Sequence, residues 1–348
     1  MSTTAPAHGA ADETSSVLRC AAFSPLAIAS TTLVAVGALI TGCGTDAPSA
    51  GPSSQVTASF PTTVTTCEVS SEVKAPPQRI VTMNQGATEV ALALGMASRM
   101  AGTGYIDDAV APRFQADYAK VPVLAPKYPT QEKILSVKAD LIYGSYASAF
   151  SDKAGGDRTK WAERGVATLL APAGCPKKPE RASWDLIWDE FAAAGKAFGV
   201  EAEAARLTAE QKYELGSETL KGAARGQRIL WWDYANGSEP NIGAGKGTPQ
   251  LLIESVGGVN VFADRPGNWE EVSMENLIGS NPDVIVVADA NGHPAQQRID
   301  FARKDPAMSQ LRAVRENRFV VIPFSETTSG VRLLDGARRI ADGIRALG

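Results

Sequence analysis

The sequence predicts an α/β protein in two halves joined by a long helix. Two observations lead to this fold class. Continuous apolar runs of strand length alternate with helical patterns through both halves, which is typical of buried parallel strands in α/β units. Between the halves lies the longest helical stretch of the chain, and its second part is mostly polar. A helix of that kind connects two lobes rigidly, unlike a linker of Gly and Ser.

Four strand candidates lie in each half, and each is a short apolar run bounded by turn residues. Those of the first half are Arg79–Met83, Met100–Tyr105, Asp140–Ser145 and Val166–Ala171. Those of the second half are Arg228–Tyr234, Gly258–Phe262, Asp283–Ala288 and Arg318–Phe324. We therefore assign residues 76–182 to an N-terminal α/β lobe and residues 223–348 to a C-terminal α/β lobe.

Residues 183–222 are predicted to form the connecting helices. Ser183 can cap a helix whose apolar side chains share one face, and Gly199 ends that helix. A second, mostly polar helix is predicted from Glu201 to Lys221, about 30 Å long at 1.5 Å per residue. This is the interlobe helix of the predicted fold.

The N-terminal segment is interpreted as a lipoprotein signal peptide over residues 1–42. The uncharged run Pro25–Ile40 is shorter than the about 20 residues that cross a membrane, and it suits a signal peptide. The order Leu39-Ile40-Thr41-Gly42-Cys43 resembles the bacterial lipobox, in which the Cys is lipidated after cleavage. Residues 43–75 then form a tether and an N-terminal arm. The alternative is a chance Cys after an apolar stretch.

The first 16 residues do not look like the start of a signal peptide. They contain Asp12 and Glu13 but neither Lys nor Arg, whereas this region of a signal peptide is normally positive. We therefore expect translation to begin at Val17, which leaves Arg19 beside the new N-terminus. Sequencing of an unprocessed precursor tests this, and a precursor that begins at Met1 contradicts it.

Composition excludes several classes of function. The chain has 34 Lys and Arg, 38 Asp and Glu and a formal charge of −4, with no block of like charge, so nucleic acid is not an expected partner. Of its two His residues, His8 is removed with the signal peptide and His293 remains. His293 is interpreted as a turn residue, and its isolation argues against most metal sites and catalytic triads.

Two cysteines lie in the mature chain beyond Cys43. In an oxidising compartment, the isolated pair Cys67 and Cys175 indicates a disulfide. Two free thiols are the alternative.

Three segments carry a family resemblance: RIVTMNQGATEVALALGMASRMAGTGY, VPVLAPKYPTQEKILSVKADLIYGSYASAF and GVNVFADRPGNWEEVSMENLIGSNPDVIVVAD. They closely resemble the metal-chelate class of ABC-importer substrate-binding proteins, which bind ferric siderophores, haem or vitamin B12. The resemblance covers residues 76–348. It implies two Rossmann-like lobes joined by a single long rigid helix, with a ligand cleft between the lobes.

The resemblance also implies how the protein acts. It is expected to be a monomer, without catalytic residues, resident cofactor or metal, anchored at the outer face of the cytoplasmic membrane. Its partners are a metal chelate and an ABC permease dimer with its ATPase. A ferric siderophore is the expected ligand, and cobalamin and haem are the alternatives.

The cleft should receive the loops that follow the carboxyl ends of the strands. Aromatic faces suit a macrocycle or a catecholate, and Arg suits an anionic chelate. The predicted ligand-binding residues are Asn84, Gln85, Tyr105, Tyr128, Tyr146, Trp232, Trp269 and Arg332. The resemblance places Tyr105, Tyr128, Tyr146, Trp269 and Arg332 at ligand-facing positions. Core packing of the aromatics, and an ordinary surface position for Arg332, remain the alternatives.

Each lobe carries a Glu in the same local pattern. Glu132 and Glu275 both precede a short apolar helix turn, a polar break and an Asp that opens a buried strand. The resemblance implies that these two residues dock onto basic residues of the two-fold symmetric permease. The alternative is that both are solvated first-turn residues, favourable near a helix N-terminus.

A structural or adhesion lipoprotein and an exported lipoprotein enzyme are the two rival classes. Asp107 and Asp108 could serve an enzyme as an acid–base pair, but adjacent loop residues rarely point at one substrate. The segment Gly243–Thr248 lacks the spacing of a phosphate-binding loop. A binding protein is therefore expected.

Overall fold

The computed structural model describes residues 59–177, 179–233, 239–290 and 292–348. The predictions for the signal peptide, the start at Val17, the tether up to residue 58 and the lipidated Cys43 lie outside the described residues. None of the helices in the described ranges combines the length and the hydropathy that a membrane crossing requires.

The N-terminal lobe is built on a parallel sheet of five strands. The strands and helices of this lobe are β1 Thr62–Thr66, β2 Val69–Val73, β3 Ile80–Thr82, α1 Gln85–Ala93, β4 Met100–Gly104, α2 Gln115–Tyr118, β5 Val123–Ala125, α3 Gln131–Ser136, β6 Leu141–Gly144, α4 Arg158–Glu163 and β7 Ala167–Leu170. The sheet order is β5-β4-β3-β6-β7, and β1 and β2 form a separate antiparallel hairpin. All four predicted strands of this half are present.

Three helices connect the lobes: α5 Trp184–Phe198, α6 Glu201–Leu215 and α7 Glu218–Lys221. Ser183 caps α5 by accepting a hydrogen bond from the Leu186 N–H, and Gly199 ends it in the left-handed conformation, with φ of 77°. The second helix is shorter than predicted because the Ser217 hydroxyl accepts from the Leu220 N–H and starts a new helix. The connection is therefore a packed set of helices rather than one long helix.

The C-terminal lobe contains a mixed sheet. Its elements are β8 Arg228–Asp233, β9 Asn241–Gly243, α8 Thr248–Ser255, β10 Val259–Asn260, β11 Trp269–Glu271, α9 Met274–Gly279, β12 Val284–Asp289, α10 Ala295–Lys304, α11 Arg312–Arg315, β13 Phe319–Pro323 and α12 Leu333–Leu347. Strands β10, β8, β12 and β13 run parallel, as predicted, while β9 and β11 add an antiparallel edge. The edge strands carry no apolar run that could have revealed them.

One hydrophobic core extends through both lobes. It contains Ile80 and Tyr143 of the first sheet, Phe191 of α5, and Trp231 and Ile340 of the second lobe, all essentially inaccessible to solvent. Because this core is continuous through α5, the two lobes are packed together by the same apolar contacts that stabilise each sheet.

The N-terminal hairpin is fastened to the edge of the first sheet. A disulfide joins Cys67, in the turn between β1 and β2, to Cys175 after β7, with 5.3 Å between the Cα atoms. This is the pairing that the sequence predicts. Beside it, the buried Arg158 guanidinium donates to the Thr66 carbonyl at 2.8 Å and to the Thr168 hydroxyl at 3.0 Å. The arm is therefore part of the folded lobe.

Candidate functional site

Among the concavities that the described residues of the two lobes form, two lie near the predicted ligand-binding residues. The first, which we call the interlobe cavity, has a volume of about 200 Å³ and is lined by Tyr146, Ser183, Lys246, Trp269 and Thr328, among others. The second, which we call the acidic groove, has a volume of about 460 Å³ and is lined among others by Asp107, Asp108, Gln115, Asp289 and Pro323. Both receive loops that follow the carboxyl ends of strands, where ligands of open α/β sheets bind.

Tyr105 and Tyr128 form an aromatic pair in the N-terminal lobe. Their ring centroids are 4.7 Å apart, and the Lys127 ammonium lies 4.5 Å from the centre of the Tyr105 ring. Tyr105 has a φ of 58°, a strained value for a residue other than glycine. The Tyr128 hydroxyl accepts from the Asn84 amide at 3.1 Å and lies 2.8 Å from the Ser148 hydroxyl. Both residues are only partly buried.

Tyr146 of the N-terminal lobe and Trp269 of the C-terminal lobe both line the interlobe cavity. Burial raises the pKa of the Tyr146 hydroxyl, and the nearby Asp107 carboxylate raises it further, although a hydrogen bond with Thr328 acts in the opposite direction. The phenol therefore stays protonated. Trp269 is 38% exposed, which is high for a tryptophan and leaves one face open to a ligand.

Asn84 and Gln85 lie beneath the aromatic loops and are 1% and 2% exposed. The side-chain oxygen of Asn84 (Oδ1) accepts a hydrogen bond from the Ser145 backbone N–H at 3.2 Å, beside Tyr146. The side-chain oxygen of Gln85 (Oε1) accepts from the backbone N–H groups of Asp107 and Asp108, both at 3.0 Å. These amides are therefore placed to position the loops, whereas the sequence predicts that they contact the ligand.

Trp232, which the sequence predicts to bind the ligand, is 4% exposed and packs in the core of the C-terminal lobe, where it forms an edge-to-face pair with Phe301 at a centroid distance of 6.4 Å. Strand β8 is covered on both faces, so its position near a strand end did not open this ring to the cleft.

Arg332 lines the acidic groove and is surrounded by carboxylates. Its side chain is 9% exposed and lies within 4.0 Å of four carboxylates, those of Glu89, Asp108, Glu326 and Asp335. Its guanidinium also donates to the Ala109 carbonyl at 3.0 Å. We call this set of groups the interlobe ion network. Because Glu89 and Asp108 belong to the first lobe and Arg332 to the second, the network joins the lobes beside the acidic groove.

The carboxylates of the network differ in their electrostatics. Burial raises the pKa of Glu89 more than the hydrogen bond from Gln85 and the charge of Arg332 lower it. Burial also tends to raise the pKa of Glu326. Hydrogen bonds from Arg339 and Arg332 outweigh this effect and hold the Glu326 pKa below its usual value. Glu326 is therefore ionised, and its charge depends on the two arginines.

Asp107 and Asp108 do not form an acid–base pair. One oxygen of Asp108 accepts from the Ser325 N–H at 3.0 Å, and the other accepts from the Gln85 amide at 3.0 Å. Asp108 thus holds the lobes together. Within the described ranges, no group of three or more His, Cys, Asp and Glu side chains is placed to hold a metal ion.

Glu132 and Glu275 occupy equivalent positions in the two lobes. Each is exposed in the first turn of a short helix, α3 or α9. Thr130 and Ser273 cap these helices through equivalent hydrogen bonds to the Lys133 and Asn276 N–H groups. The geometry fits both the docking role and the solvated first-turn alternative.

Sequence reasoning missed several residues around the two concavities. They include Ser183, Leu186, Lys246, Thr248 and Asn268 of the interlobe cavity, together with Glu89 and Glu326 of the interlobe ion network. A single Lys or an isolated Glu carries no signal in one sequence. Their roles depend on the approach of the two lobes, which only the tertiary structure reveals.

Comparison with known proteins places this geometry in a family. The family described as periplasmic binding protein matches residues 80–326, which cover both sheets and the helices between them. The chain belongs to this family. The resemblance found in the sequence is therefore confirmed at the level of the family, and the two-lobed α/β fold that it implies is confirmed by the solved structures.

A periplasmic binding protein from Veillonella parvula is 28% identical, with a TM-score of 0.71, and the match covers 82% of this chain and 97% of that one. A protein of an ABC-type Fe³⁺-hydroxamate transport system from Saccharomonospora viridis is 22% identical, with a TM-score of 0.66, over 82% of this chain and 99% of that one. A Bacillus subtilis protein, described as the uncharacterized ABC transporter substrate-binding lipoprotein YvrC, is 24% identical over 90% of this chain and 95% of its own length.

Proposed function

We propose that the protein is a substrate-binding protein that captures a ferric siderophore outside the cytoplasmic membrane and delivers it to an ABC importer. The observation that carries this proposal is the interlobe cavity, which is lined by Tyr146 of one lobe and Trp269 of the other. Family membership supports a binding role. The descriptions of the relatives from B. subtilis and S. viridis, an ABC substrate-binding lipoprotein and a ferric-hydroxamate system, support the transporter and the ligand class.

The proposal includes a lipid anchor at Cys43 that holds the monomer at the outer face of the cytoplasmic membrane. The lipobox-like sequence supports this, as does the description of the B. subtilis relative as a lipoprotein. Mass spectrometry of the mature N-terminal peptide tests it, because an unmodified Cys43 contradicts the anchor.

Cobalamin is the second candidate ligand, because its flat corrin also suits stacking on aromatic faces. Haem is the third candidate ligand, because tyrosine can ligate haem iron. An enzymatic function is disfavoured because Asp108 is engaged between the lobes.

Calorimetric titration with ferric siderophores, cobalamin and haem tests the binding function. We expect saturable 1:1 binding of a ferric siderophore. Trp269→Ala and Tyr146→Ala should each weaken it about tenfold, because each removes an aromatic wall worth about 1.4 kcal/mol. Trp188→Ala is the matched control, since Trp188 packs against Lys212 outside the cleft and should leave affinity unchanged. No saturable binding of any member of the panel would contradict the proposal.

Docking to the importer is tested separately from ligand capture. A permease dimer presents the same basic site twice, so a two-lobed monomer needs an acid at equivalent places. Glu132→Ala and Glu275→Ala should leave ligand affinity unchanged and reduce uptake, with the double variant far worse, because such charges orient the encounter. Glu218→Ala with Glu316→Ala, exposed on other surfaces, is the matched control. Normal uptake by the Glu132/Glu275 double variant would contradict the docking role and leave both residues as solvated side chains at helix N-termini.

A further inference from the structure

Glu190 is a buried carboxyl group in the middle of α5, and it lines neither the interlobe cavity nor the acidic groove. Its side chain is 1% exposed, and one of its oxygens accepts a hydrogen bond from the Tyr143 hydroxyl of β6. The other oxygen, Oε2, is buried and has no hydrogen-bond partner among the described residues. A carboxylate with one neutral donor and no cation is costly to ionise inside a protein. Glu190 is therefore expected to carry a proton.

The surroundings of Glu190 favour the protonated form. Burial raises the pKa of Glu190 to about 7, although the hydrogen bond from Tyr143 acts in the opposite direction. Burial and the neighbouring Glu190 also raise the pKa of Tyr143, so this phenol does not ionise in its place. The elements packed on α5 include α1, α6, β1 and β7. In the described ranges, none of their ionisable side chains forms a hydrogen bond or an ion pair with Glu190.

Glu190 is connected to the wall of the interlobe cavity through both α5 and β6. Leu186 and Ile187 line the cavity and lie one helical turn before Glu190 on α5. Tyr143 lies three residues before Tyr146, which also lines the cavity. The charge of Glu190 contributes to the raised pKa of Tyr146, after the larger effects of burial and Asp107. A change at Glu190 therefore acts on two parts of the same wall.

We propose that Glu190 is a positioning residue: its protonated carboxyl group holds β6 against α5 and so fixes Tyr146 in the wall of the interlobe cavity. Loss of the proton loosens this wall and weakens ligand binding. The physical basis is that ionised Glu190 places a charge in the apolar core with neither a cation nor a second donor. Water can solvate that charge only if α5 and β6 separate. This inference rests on the proposed function for its effect on the ligand, and adds a pH dependence to it.

Unfolding at different pH values tests the buried proton without any ligand. Because the folded-state pKa lies above the unfolded value, the stabilisation by this proton is complete below pH about 4.5 and is lost as pH rises through about 7. Between pH 5.5 and 8.5, the unfolding equilibrium constant of the wild type should rise by about tenfold or more relative to that of Glu190→Gln, which cannot ionise. Glu210→Gln, exposed on α6, is the matched control and should keep the pH dependence of the wild type.

Tyr143→Phe gives an independent variant for the same measurement. It removes the hydrogen bond that favours the ionised form of Glu190, so the loss of stability should occur at higher pH than in the wild type. The same pH dependence in the wild type, Glu190→Gln and Tyr143→Phe would overturn the proposal.

Calorimetric titration over the same pH range tests the effect on the cavity. The probe is whichever of ferrioxamine B, ferric enterobactin, cobalamin and haem binds most tightly at pH 5.5. Its affinity for the wild type should fall several-fold by pH 8.5 relative to its affinity for Glu190→Gln, and this comparison cancels any titration of the probe. Asp107 also has a raised pKa, about 6, and acts on Tyr146, so Asp107→Asn in both backgrounds separates its contribution.

The two measurements distinguish failure of this inference from failure of the proposed function. If a probe binds with the same pH dependence to the wild type and to Glu190→Gln, the positioning role is wrong and the proposed function stands. If no probe binds at any pH, the proposed function fails and the effect on the ligand fails with it. The unfolding comparison decides the buried proton in either case.

Discussion

Arg332→Met is expected to lower the free energy of unfolding by about 3–5 kcal/mol, the cost of removing one partner from a buried ionic network. The substitution keeps the volume of the side-chain stem but leaves Glu89, Asp108 and Glu326 near one another without their shared cation. It also removes the hydrogen bond to the Ala109 carbonyl. Since the network joins the lobes, the loss should loosen the cleft as well as the fold.

Urea unfolding of purified variants measures this effect. Arg206→Met is the matched control, because Arg206 pairs with Glu210 on the exposed face of α6 and should cost less than about 1 kcal/mol. The Glu326 pKa lies below its unfolded value, so its stabilising contribution is present above pH about 4.5 and is lost at more acid pH. The deficit of Arg332→Met should therefore be complete at neutral pH and shrink below pH about 4.5. A deficit as small as that of Arg206→Met would contradict the structural role of Arg332.

Loss of the disulfide is expected to have the second large effect. The link between Cys67 and Cys175 has a sequence separation of 108 residues. In the chain-entropy model, closing a loop of that length stabilises the folded state by up to about 4–5 kcal/mol, and often by less. The variant Cys67→Ser/Cys175→Ser should lose most of this stabilisation. Hydrogen exchange should show that the β1–β2 hairpin opens first.

The wild-type protein under reducing conditions provides the comparison for the double variant. Its unfolding midpoint should fall to that of Cys67→Ser/Cys175→Ser, while the variant itself should not respond to the reductant. Alkylation of both Cys67 and Cys175 in the purified, non-reduced mature protein would show that the bond is absent and remove the basis of the prediction.

The elements that the sequence predicted are those whose signals are local. Strands such as Val284–Asp289 are continuous apolar runs, and α5 has a Ser cap at one end and Gly199 at the other. The antiparallel edge strands were missed because three-residue strands at a sheet edge carry no hydrophobic pattern. The break between α6 and α7 depends on one side chain, Ser217, whose capping competes with continuing the helix.

The site was predicted unevenly for a related reason. Tyr146, which follows the carboxyl end of β6, lines the interlobe cavity, whereas Tyr105 and Tyr128 pair with each other in the same lobe. The strand-end rule could not separate residues that face the cleft from those that lie beneath it, such as Asn84 and Gln85, or behind it, such as Trp232. The partners of Arg332 come from both lobes and are up to 243 positions away along the chain, so no sequence window contains them.

A crystal structure of the protein with a neutral ferric trihydroxamate tests the central claim most directly. The account predicts one chelate between the lobes, in contact with the Tyr105–Tyr128 pair, Tyr146 and Trp269, with Arg332 still enclosed by its carboxylates. A chelate bound elsewhere, or one that displaces the carboxylates to reach the Arg332 guanidinium, would contradict it.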